Sequence, residues 1–252
     1  MTYSIVARDT ETGEFGIAVA SRFFAVGAIV PYMAGGIGAI ATQAFISPLY
    51  GTDGLELLRQ GKSAKEVLEA VVGRDRGSHS RQIHLMDGKG RSAAFTGDKC
   101  IDWAGHLIEE NVSVAGNMLK GPKVIEATLE SYLENRGLPL VERLLTAMEA
   151  GEEAGGDKRG RQSAALRIVR REAFPWLDIR ADDHADPLAE LRRLHEVAGE
   201  RYLHVAETLP TTDNVSGLLD RTEIDRRIEE LEARRIAEGR PSASFATPLL
   251  RN

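Results

Sequence analysis

Residues 2–22, TYSIVARDTETGEFGIAVASR, decide the fold because they predict a β-hairpin that begins at the second residue of the chain. Residues 3–8 are rich in strand-forming side chains, and residues 15–22 are a second apolar run that contains small residues. The turn-forming residues 9–13, DTETG, separate the two runs. The sequence therefore predicts two antiparallel strands, the first of which starts next to Thr2.

Beyond this hairpin, the spacing of apolar residues changes between that of strands and that of helices. Strands are predicted within 27–45, at 82–86 and 92–95, at 111–115, at 163–169 and at 177–181. Helices are predicted within 55–72, restarting at the N-cap Ser63, at 124–133, at 140–148 and from Asp186-Pro187 to about His204. Strands and helices do not alternate one by one, so mostly antiparallel sheets covered by paired helices fit better than a parallel sheet.

The end of the chain differs in composition from the rest. Residues 220–240 are dense in charge, with Ile224, Ile228 and Leu231 at helical spacing, and predict one amphipathic helix. This helix either packs on the preceding part of the chain, lies at a subunit interface or projects into solvent. We therefore divide the chain into a domain of residues 1–209 and a charged helical tail of residues 210–252, and we expect a homo-oligomer.

Composition excludes several classes of function. The 252 residues carry 32 basic and 38 acidic side chains, a net charge of −6, which disfavours a nucleic-acid-binding protein. One cysteine excludes an internal disulfide and a zinc site made of several cysteines. The apolar runs are too short to span a membrane, and the first residues do not read as a signal peptide, so we expect a cytoplasmic protein.

Three motifs offer weaker alternatives. Gly61-Lys62-Ser63 lacks the earlier glycine of a phosphate-binding loop, and the glycines of residues 36–41 lie in a predicted strand rather than at the start of a helix. Asp182, Asp183 and His184 offer oxygen and imidazole ligands for a cation. The other interpretation of this last group is that Asp186 caps a helix while its neighbours are solvated or paired with arginines.

Thr2 carries the strongest chemical signal. Removal of Met1, which the small side chain of Thr2 permits, leaves a threonine with a free α-amino group at the start of a rigid strand. The ordinary pKa of an α-amino group is about 7.7–8.0, so this amine can accept the hydroxyl proton near neutral pH. Nucleophile and general base then belong to one residue, as in threonine-dependent acyl transfer.

Seven segments resemble a microbial family of N-terminal nucleophile (Ntn) hydrolase-like proteins of unknown function. They are TYSIVARD, GIAVASRF, GAIATQAF, CIDWAGH, AGNML, GGDKRGRQSAAL and DIRADDHADP, and the resemblance covers about residues 2–205. It implies a four-layer αββα sandwich of two antiparallel sheets between helix layers, which places the protein in the α+β class, with the C-terminal helix outside it. It also implies a mature chain that begins at Thr2.

The resemblance further implies that the second strand of the first hairpin delivers polar groups beside the nucleophile. That strand ends in Ser21-Arg22. Arg22 either lowers the pKa of the amine or binds a substrate carboxylate, or it is a surface arginine. Ser4, two residues from Thr2, shares its strand face and either bonds to the site or packs.

Other polar residues have two interpretations each. Gln43 lies in an apolar run and is either a donor to the site or part of a core network. Asn117 either serves an oxyanion hole or occupies a turn. In the segment 155–162, Asp157 orients the amine or Arg22, and Arg159 and Arg161 hold an anionic substrate, unless the segment is only a polar turn. His84 fits a packed histidine better than one facing a cleft.

The sequence thus predicts an amidohydrolase that cleaves a small anionic amide, ureide or peptide-like C–N bond through an acyl-enzyme on Thr2. The predicted catalytic residues are Thr2, Asn117 and Asp157, and the predicted substrate-binding residues are Ser4, Ser21, Arg22, Gln43, Arg159 and Arg161. No metal or organic cofactor is expected. The alternative is a catalytically silent ligand-binding or scaffold protein with the same fold.

Overall fold

The computed structural model describes residues 2–246. Its ten strands are β1 Thr2–Arg8, β2 Phe15–Ser21, β3 Pro31–Ala34, β4 Gly38–Ala44, β5 Arg81–Asp87, β6 Ser92–Thr96, β7 Gly105–Glu109, β8 Val112–Asn117, β9 Ser163–Val169 and β10 Leu177–Ala181. The α-helices are α1 Pro48–Arg59, α2 Ala64–Gly73, α3 Lys123–Glu134, α4 Leu140–Glu153, α5 Pro187–Val197, α6 Leu203–Ala206 and α7 Thr222–Ala237.

The strands form two antiparallel sheets. The larger has the order β10-β9-β2-β1-β8-β7, and the smaller has the order β3-β4-β5-β6. Helices α3 and α4 cover the larger sheet, α1 and α2 cover the smaller one, and β1 and β2 face β4 across the interface between the sheets. The α+β class and the four-layer αββα sandwich are therefore confirmed, as is a helix near the C-terminus.

Alternation along β1 assigns each of its side chains to one of two interfaces. Tyr3 points to the helix layer, where its hydroxyl lies 3.0 Å from both the Met148 carbonyl oxygen and the Glu152 carboxylate and can donate to either. Val6 lies in the apolar core between the sheets with Met33 and Met86. Thr2 and Ser4 share the face of Val6, so the polar start of β1 points between the two sheets.

Two predicted helix starts are confirmed by their caps. The Ser63 hydroxyl accepts from the Glu66 amide at 3.3 Å, and the Glu66 carboxylate accepts from the Ser63 amide at 2.8 Å, which is a capping box for α2. Asp186 accepts from the Ala189 amide at 3.3 Å at the start of α5. Strand β7 was not predicted, because the half-exposed edge sequence GHLIE lacks a clear alternation.

The chain divides into two compact units, one ending at Leu191 and the other beginning at Arg192. The sandwich belongs to the first unit. In the second, α5 runs on through a π-helical turn, Ala198–Tyr202, to α6, and α7 is the predicted amphipathic helix, with Ile228 buried. The predicted boundary between residues 209 and 210 falls inside the second unit and stays a prediction.

No helix among residues 2–246 has the length and apolar character needed to cross a membrane.

Candidate functional site

Thr2 begins an interior strand of the larger sheet, and its two neighbouring strands end beside it. Its register partners are Ser21 on β2 and Asn117 on β8. The Thr2 hydroxyl donates to the Ser21 hydroxyl oxygen at 3.1 Å, and both residues are buried. The hairpin turn and the register of β8 therefore bring three predicted site residues to one edge of the sheet.

Two side-chain amides converge on the carbonyl oxygen of Thr2, one from each sheet. Gln43 Nε2 and Asn117 Nδ2 each lie 3.5 Å from that oxygen. Both amides also donate to Gln82 Oε1, at 2.8 Å and 3.1 Å respectively. Gln82 therefore fixes which atom of each amide points towards Thr2.

Gln82 is itself held in one orientation. Its Nε2 lies 2.8 Å from Thr96 Oγ1 and 2.9 Å from the Gly116 carbonyl oxygen, so this end of the amide must donate. The opposite end, Oε1, is then free to accept from Gln43 and Asn117. This orientation follows from the partners, since an inverted amide would place N–H groups against N–H groups.

A second set of hydrogen bonds connects Gln43 with polar residues farther along the interface between the two sheets. Ser4 Oγ donates to Gln43 Oε1 at 2.6 Å, and His84 Nε2 lies 2.8 Å from Ser4 Oγ. Because Ser4 has one hydrogen to give, His84 Nε2 is the donor of that contact, and Nδ1 lies 3.0 Å from the Ser113 hydroxyl. Burial, with a smaller contribution from His106, lowers the pKa of His84 to about 3, so the imidazole is neutral.

We call these residues the buried polar cluster: Thr2, Ser4, Ser21, Gln43, Gln82, His84, Ser113 and Asn117. Each of these residues is at most 4 % exposed. Among residues 2–246, the buried side-chain atoms without a hydrogen-bond partner are Arg8 Nε, Ser92 Oγ and Tyr132 Oη, all outside the cluster. The cluster is thus a satisfied, uncharged network that ends at Thr2.

Asp157 anchors the segment that follows β2. Its carboxylate accepts from the Arg22 backbone amide at 2.8 Å and from the Arg159 backbone amide at 2.8 Å. The Arg159 guanidinium also pairs with it, at 3.2 Å. Gly156 precedes it with a φ of +48°, a left-handed conformation that favours glycine. Of the two predicted roles of Asp157, the observed contact is with Arg22, through its backbone.

The three arginines near this loop differ in their partners. Arg159 pairs with Asp157, while Arg161 donates to Glu152 at 2.7 Å and to Asp186 at 3.0 Å. The Arg22 guanidinium contacts the Arg159 carbonyl oxygen and, among residues 2–246, has no carboxylate partner. Arg22 is therefore the arginine of this group whose charge is not neutralised.

Arg22 opens onto a cleft of about 540 Å³, which we call the Arg22 cleft. It is lined by Arg22, Arg161, Gln162, Asp183, His184 and Ala185. Because Arg22 follows Ser21, the cleft begins one residue from the side chain that Thr2 contacts. Its volume falls within the range of about 300–1,000 Å³ that is typical of small-molecule sites.

Comparison with protein families gives a match over most of the first unit. The model of a family of unknown function, DUF1028, matches residues 2–191. The chain belongs to the DUF1028 family. A crystal structure from the same family, protein SPO2555 from Silicibacter pomeroyi, is 33 % identical, with a TM-score of 0.81, and the match covers 87 % of this chain and 96 % of that one. The fold is therefore shared within DUF1028.

A second solved structure is more distant. Anbu (ancestral beta-subunit) from Yersinia bercovieri is 12 % identical, with a TM-score of 0.39, over 83 % of this DUF1028 chain and 98 % of its own. A comparison with curated proteins finds no match.

Residues 182–184 form an acidic segment, part of which lines the cleft, and each of them has a partner within the chain. Asp182 pairs with Arg180 at 2.8 Å, Asp183 accepts from Gln162 at 3.1 Å, and His184 Nδ1 lies 2.8 Å from the Asp186 carbonyl oxygen. Within residues 2–246, no group of three or more His, Cys, Asp or Glu side chains is placed to hold a metal ion. These contacts match the interpretation in which Asp186 caps a helix and its neighbours find partners.

Gln82 and Ser113 do not stand out in the sequence. For His84 the sequence favours a packed or edge histidine over one that faces a cleft, and the histidine is buried. A signal was present, because Gln82 and His84 are two residues apart on β5 and so share one face of the strand. Two polar residues on the same face of an otherwise apolar strand indicate a buried network. Gln43 and Ser4 belong to this same network.

Proposed function

We propose that this DUF1028 protein is an N-terminal nucleophile amidohydrolase whose nucleophile is Thr2. The observation that carries the proposal is the convergence of the Ser21 hydroxyl and the Gln43 and Asn117 amides on one residue at the start of β1. Removal of Met1 is part of the proposal, since the Thr2 amine has to be free to act as the base. The backbone pairing of β1 with β2 and β8 holds that residue rigidly.

The proposed reaction has two acyl-transfer steps. Thr2 Oγ attacks the carbonyl carbon of the amide, and the hydroxyl proton passes to the α-amine. The tetrahedral intermediate then breaks its C–N bond, and the leaving amine takes the proton from the α-ammonium. Water attacks the resulting ester with the α-amine as base, which releases the acid and restores the Thr2 hydroxyl.

Asn117 is proposed to stabilise the oxyanion of the intermediate. One hydrogen of its amide is committed to Gln82, while the other points towards the Thr2 carbonyl oxygen at 3.5 Å, a long contact. A developing oxyanion is a stronger acceptor than that carbonyl group and can take over the hydrogen. Gln43, in the same relation to Thr2, is the second candidate donor.

The proposed substrate is a small molecule with an anionic group, and Arg22 is the residue that binds this group. Its guanidinium has a geometry that matches a carboxylate and lacks a carboxylate partner among residues 2–246. Asp157 is proposed to position Arg22 through the backbone amide, and Arg159 and Arg161 to stabilise the cleft wall. We also propose that the protein forms a homo-oligomer.

The test combines intact mass with covalent labelling. Mass spectrometry of the native protein should show loss of Met1, and a β-lactone should add one acyl group at Thr2, because Oγ opens the ring without a leaving group. Thr2→Ala should abolish this labelling and Thr2→Ser should retain it, whereas Thr10→Ala, at an exposed turn, should label like the wild type. A loss of several orders of magnitude is expected for removal of a nucleophile.

Full retention of Met1 would exclude the amine as base. Labelling that survives Thr2→Ala would place the nucleophile elsewhere. In either case the ligand-binding protein with the same fold becomes the better hypothesis, and the Arg22 cleft becomes its candidate site.

A further inference from the structure

The Arg22 cleft contains two opposite charges that do not neutralise each other. The Arg22 guanidinium meets only the Arg159 carbonyl oxygen, and the Asp183 carboxylate meets only the Gln162 amide at 3.1 Å, among residues 2–246. The remaining arginine of the cleft, Arg161, is already paired with Glu152 and Asp186. One cation and one anion of the lining are therefore available to a ligand.

Both charges are held in the cleft wall by the backbone. The Arg22 amide is fixed by Asp157 at 2.8 Å. Next to Asp183, the His184 amide donates to the Gln162 carbonyl oxygen at 2.8 Å, so the segment that carries Asp183 is tied to the one that carries Gln162. The two charges are thus anchored independently, which favours recognition of a ligand with a fixed pattern of charge.

We propose that the Arg22 cleft binds an α-amino acid unit, with its carboxylate on Arg22 and its ammonium group on Asp183. A ligand with both charges satisfies both side chains, whereas a simple anion leaves Asp183 without a cationic partner and is repelled by it. Gln162 adds an amide oxygen that can accept from the same ammonium group. The cleft therefore selects a zwitterion over a plain carboxylate.

This inference rests on the proposed function for its consequence at Thr2. The cleft begins at Arg22, one residue after Ser21, and Thr2 donates to Ser21 at 3.1 Å. If Thr2 is the nucleophile, an amino acid unit anchored in the cleft through its carboxylate and ammonium groups would carry its scissile amide in the side chain. The substrate class is then a side-chain amide of an amino acid, or a larger molecule that ends in one.

The test is a binding comparison on the full chain with Thr2→Ala, which prevents turnover. Calorimetry would measure L-asparagine and L-glutamine and, for each, two analogues. Succinamate and glutaramate lack the ammonium group, and 3-aminopropanamide and 4-aminobutanamide lack the carboxylate. We expect one of the two amino acids to bind and the matching analogues to bind at least tenfold more weakly, since each loses one charge-assisted contact.

Two variants cross-check the assignment of each charge. With Asp183→Asn, the analogue that lacks the ammonium group should bind as tightly as the amino acid, while the analogue that lacks the carboxylate should still bind more weakly. Arg22→Gln should have the opposite effect on the two analogues. Arg59→Gln, an arginine on α1 outside the cleft lining, serves as the matched control and should leave both preferences unchanged. Thermal midpoints of the variants check that each is folded.

The proposal is overturned if neither amino acid binds, if the analogue without the ammonium group binds as tightly as the amino acid that it matches, or if the two variants leave both preferences unchanged. The proposed function fails separately, through the β-lactone experiment on the protein with Thr2. Zwitterion binding without labelling of Thr2 would retain the cleft assignment and exclude hydrolysis.

Discussion

The buried polar cluster and the Arg22 cleft lie at the same edge of the sandwich but are built in opposite ways. The cluster contains no ionised side chain: its members are hydroxyls, amides and a histidine whose pKa burial lowers to about 3. The cleft is lined by charged groups that include Arg22 and Asp183, and both of these are exposed. The buried polar cluster holds its side chains in fixed positions, and the Arg22 cleft presents charged side chains to solvent.

This difference matters because the two constructions have different energetic consequences. A buried hydrogen bond is costly to break, since the donor or acceptor that remains cannot form a hydrogen bond with water instead. An ion pair that stays exposed is worth little, because water and salt screen it, whereas a ligand that fills the cleft displaces water and strengthens its contacts with the same side chains. The cluster is therefore suited to positioning a nucleophile, and the cleft to recognition of a charged ligand.

The largest effect is expected from the centre of the cluster. Gln82→Met keeps the size of the side chain but removes the acceptor of both the Gln43 and the Asn117 amides. We expect β-lactone labelling of Thr2 to slow at least tenfold, as for loss of an oriented oxyanion donor, and the free energy of unfolding to fall by about 3 kcal/mol. Labelling kinetics and urea denaturation measure the two effects.

Thr96→Val is the matched control for this variant. It removes one acceptor of Gln82 Nε2 but leaves the Gly105 and Gly116 carbonyl oxygens to hold the amide in its orientation. Its labelling rate should stay close to that of the wild type. Equal slowing in both variants would mean that the orientation of Gln82 is irrelevant to Thr2.

An intermediate effect is expected from His84 as the pH falls. The folded protein holds the imidazole neutral down to a pKa of about 3, whereas the unfolded chain takes up a proton near the ordinary value of 6.5. Acid therefore favours the unfolded state across this window. Between pH 7 and pH 5, the stability of the wild type relative to His84→Gln should fall by roughly 2 kcal/mol.

Urea denaturation at the two pH values measures this difference. His79→Gln, at an exposed histidine, controls for the loss of one imidazole. If the difference in the free energy of unfolding between the wild type and His84→Gln stays constant with pH, His84 is charged or solvated in the folded protein.

The smallest effect is expected from the wall of the cleft. Arg161→Gln removes ion pairs to Glu152 and Asp186 from a side chain that is 41 % exposed, while Glu152 keeps its hydrogen bond from Tyr3 at 3.0 Å. The free energy of unfolding should fall by less than about 1 kcal/mol, and by less still in high salt. A loss as large as that of Gln82→Met would contradict the contrast between the two regions.

The sequence predicted the elements of the fold better than the contacts of the site. The first hairpin, the capped helix starts and the mostly antiparallel character of the sheets follow from local spacing, turn chemistry and the order of the elements. The stacking of two sheets between helix layers was implied only by the resemblance to a family. Strand β7 was not predicted, because an edge strand is buried on one side at most and its alternation of apolar and polar residues is weak. Gln43 and Asn117 were found as polar residues in unusual places, but their shared partner Gln82 was not.

The arginines show the same limit. Arg22, Arg159 and Arg161 have the same side chain and lie in two short segments, so the sequence assigned all three to an anionic substrate. The structure places carboxylates against Arg159 and Arg161, from as far away as Glu152 on α4 and Asp186 before α5. Arg22 differs from them only through neighbours that the sequence does not reveal.

By itself, the sequence determined that Thr2 begins a strand, because the period of two and the turn at 9–13 act within a few residues. Tertiary structure alone decided that the Gln43 and Asn117 amides, joined by Gln82, meet at that residue and that Arg22 and Asp183 line one cleft. Strand register and sheet stacking bring together residues that are tens of positions apart, and no local pattern encodes which of them will meet.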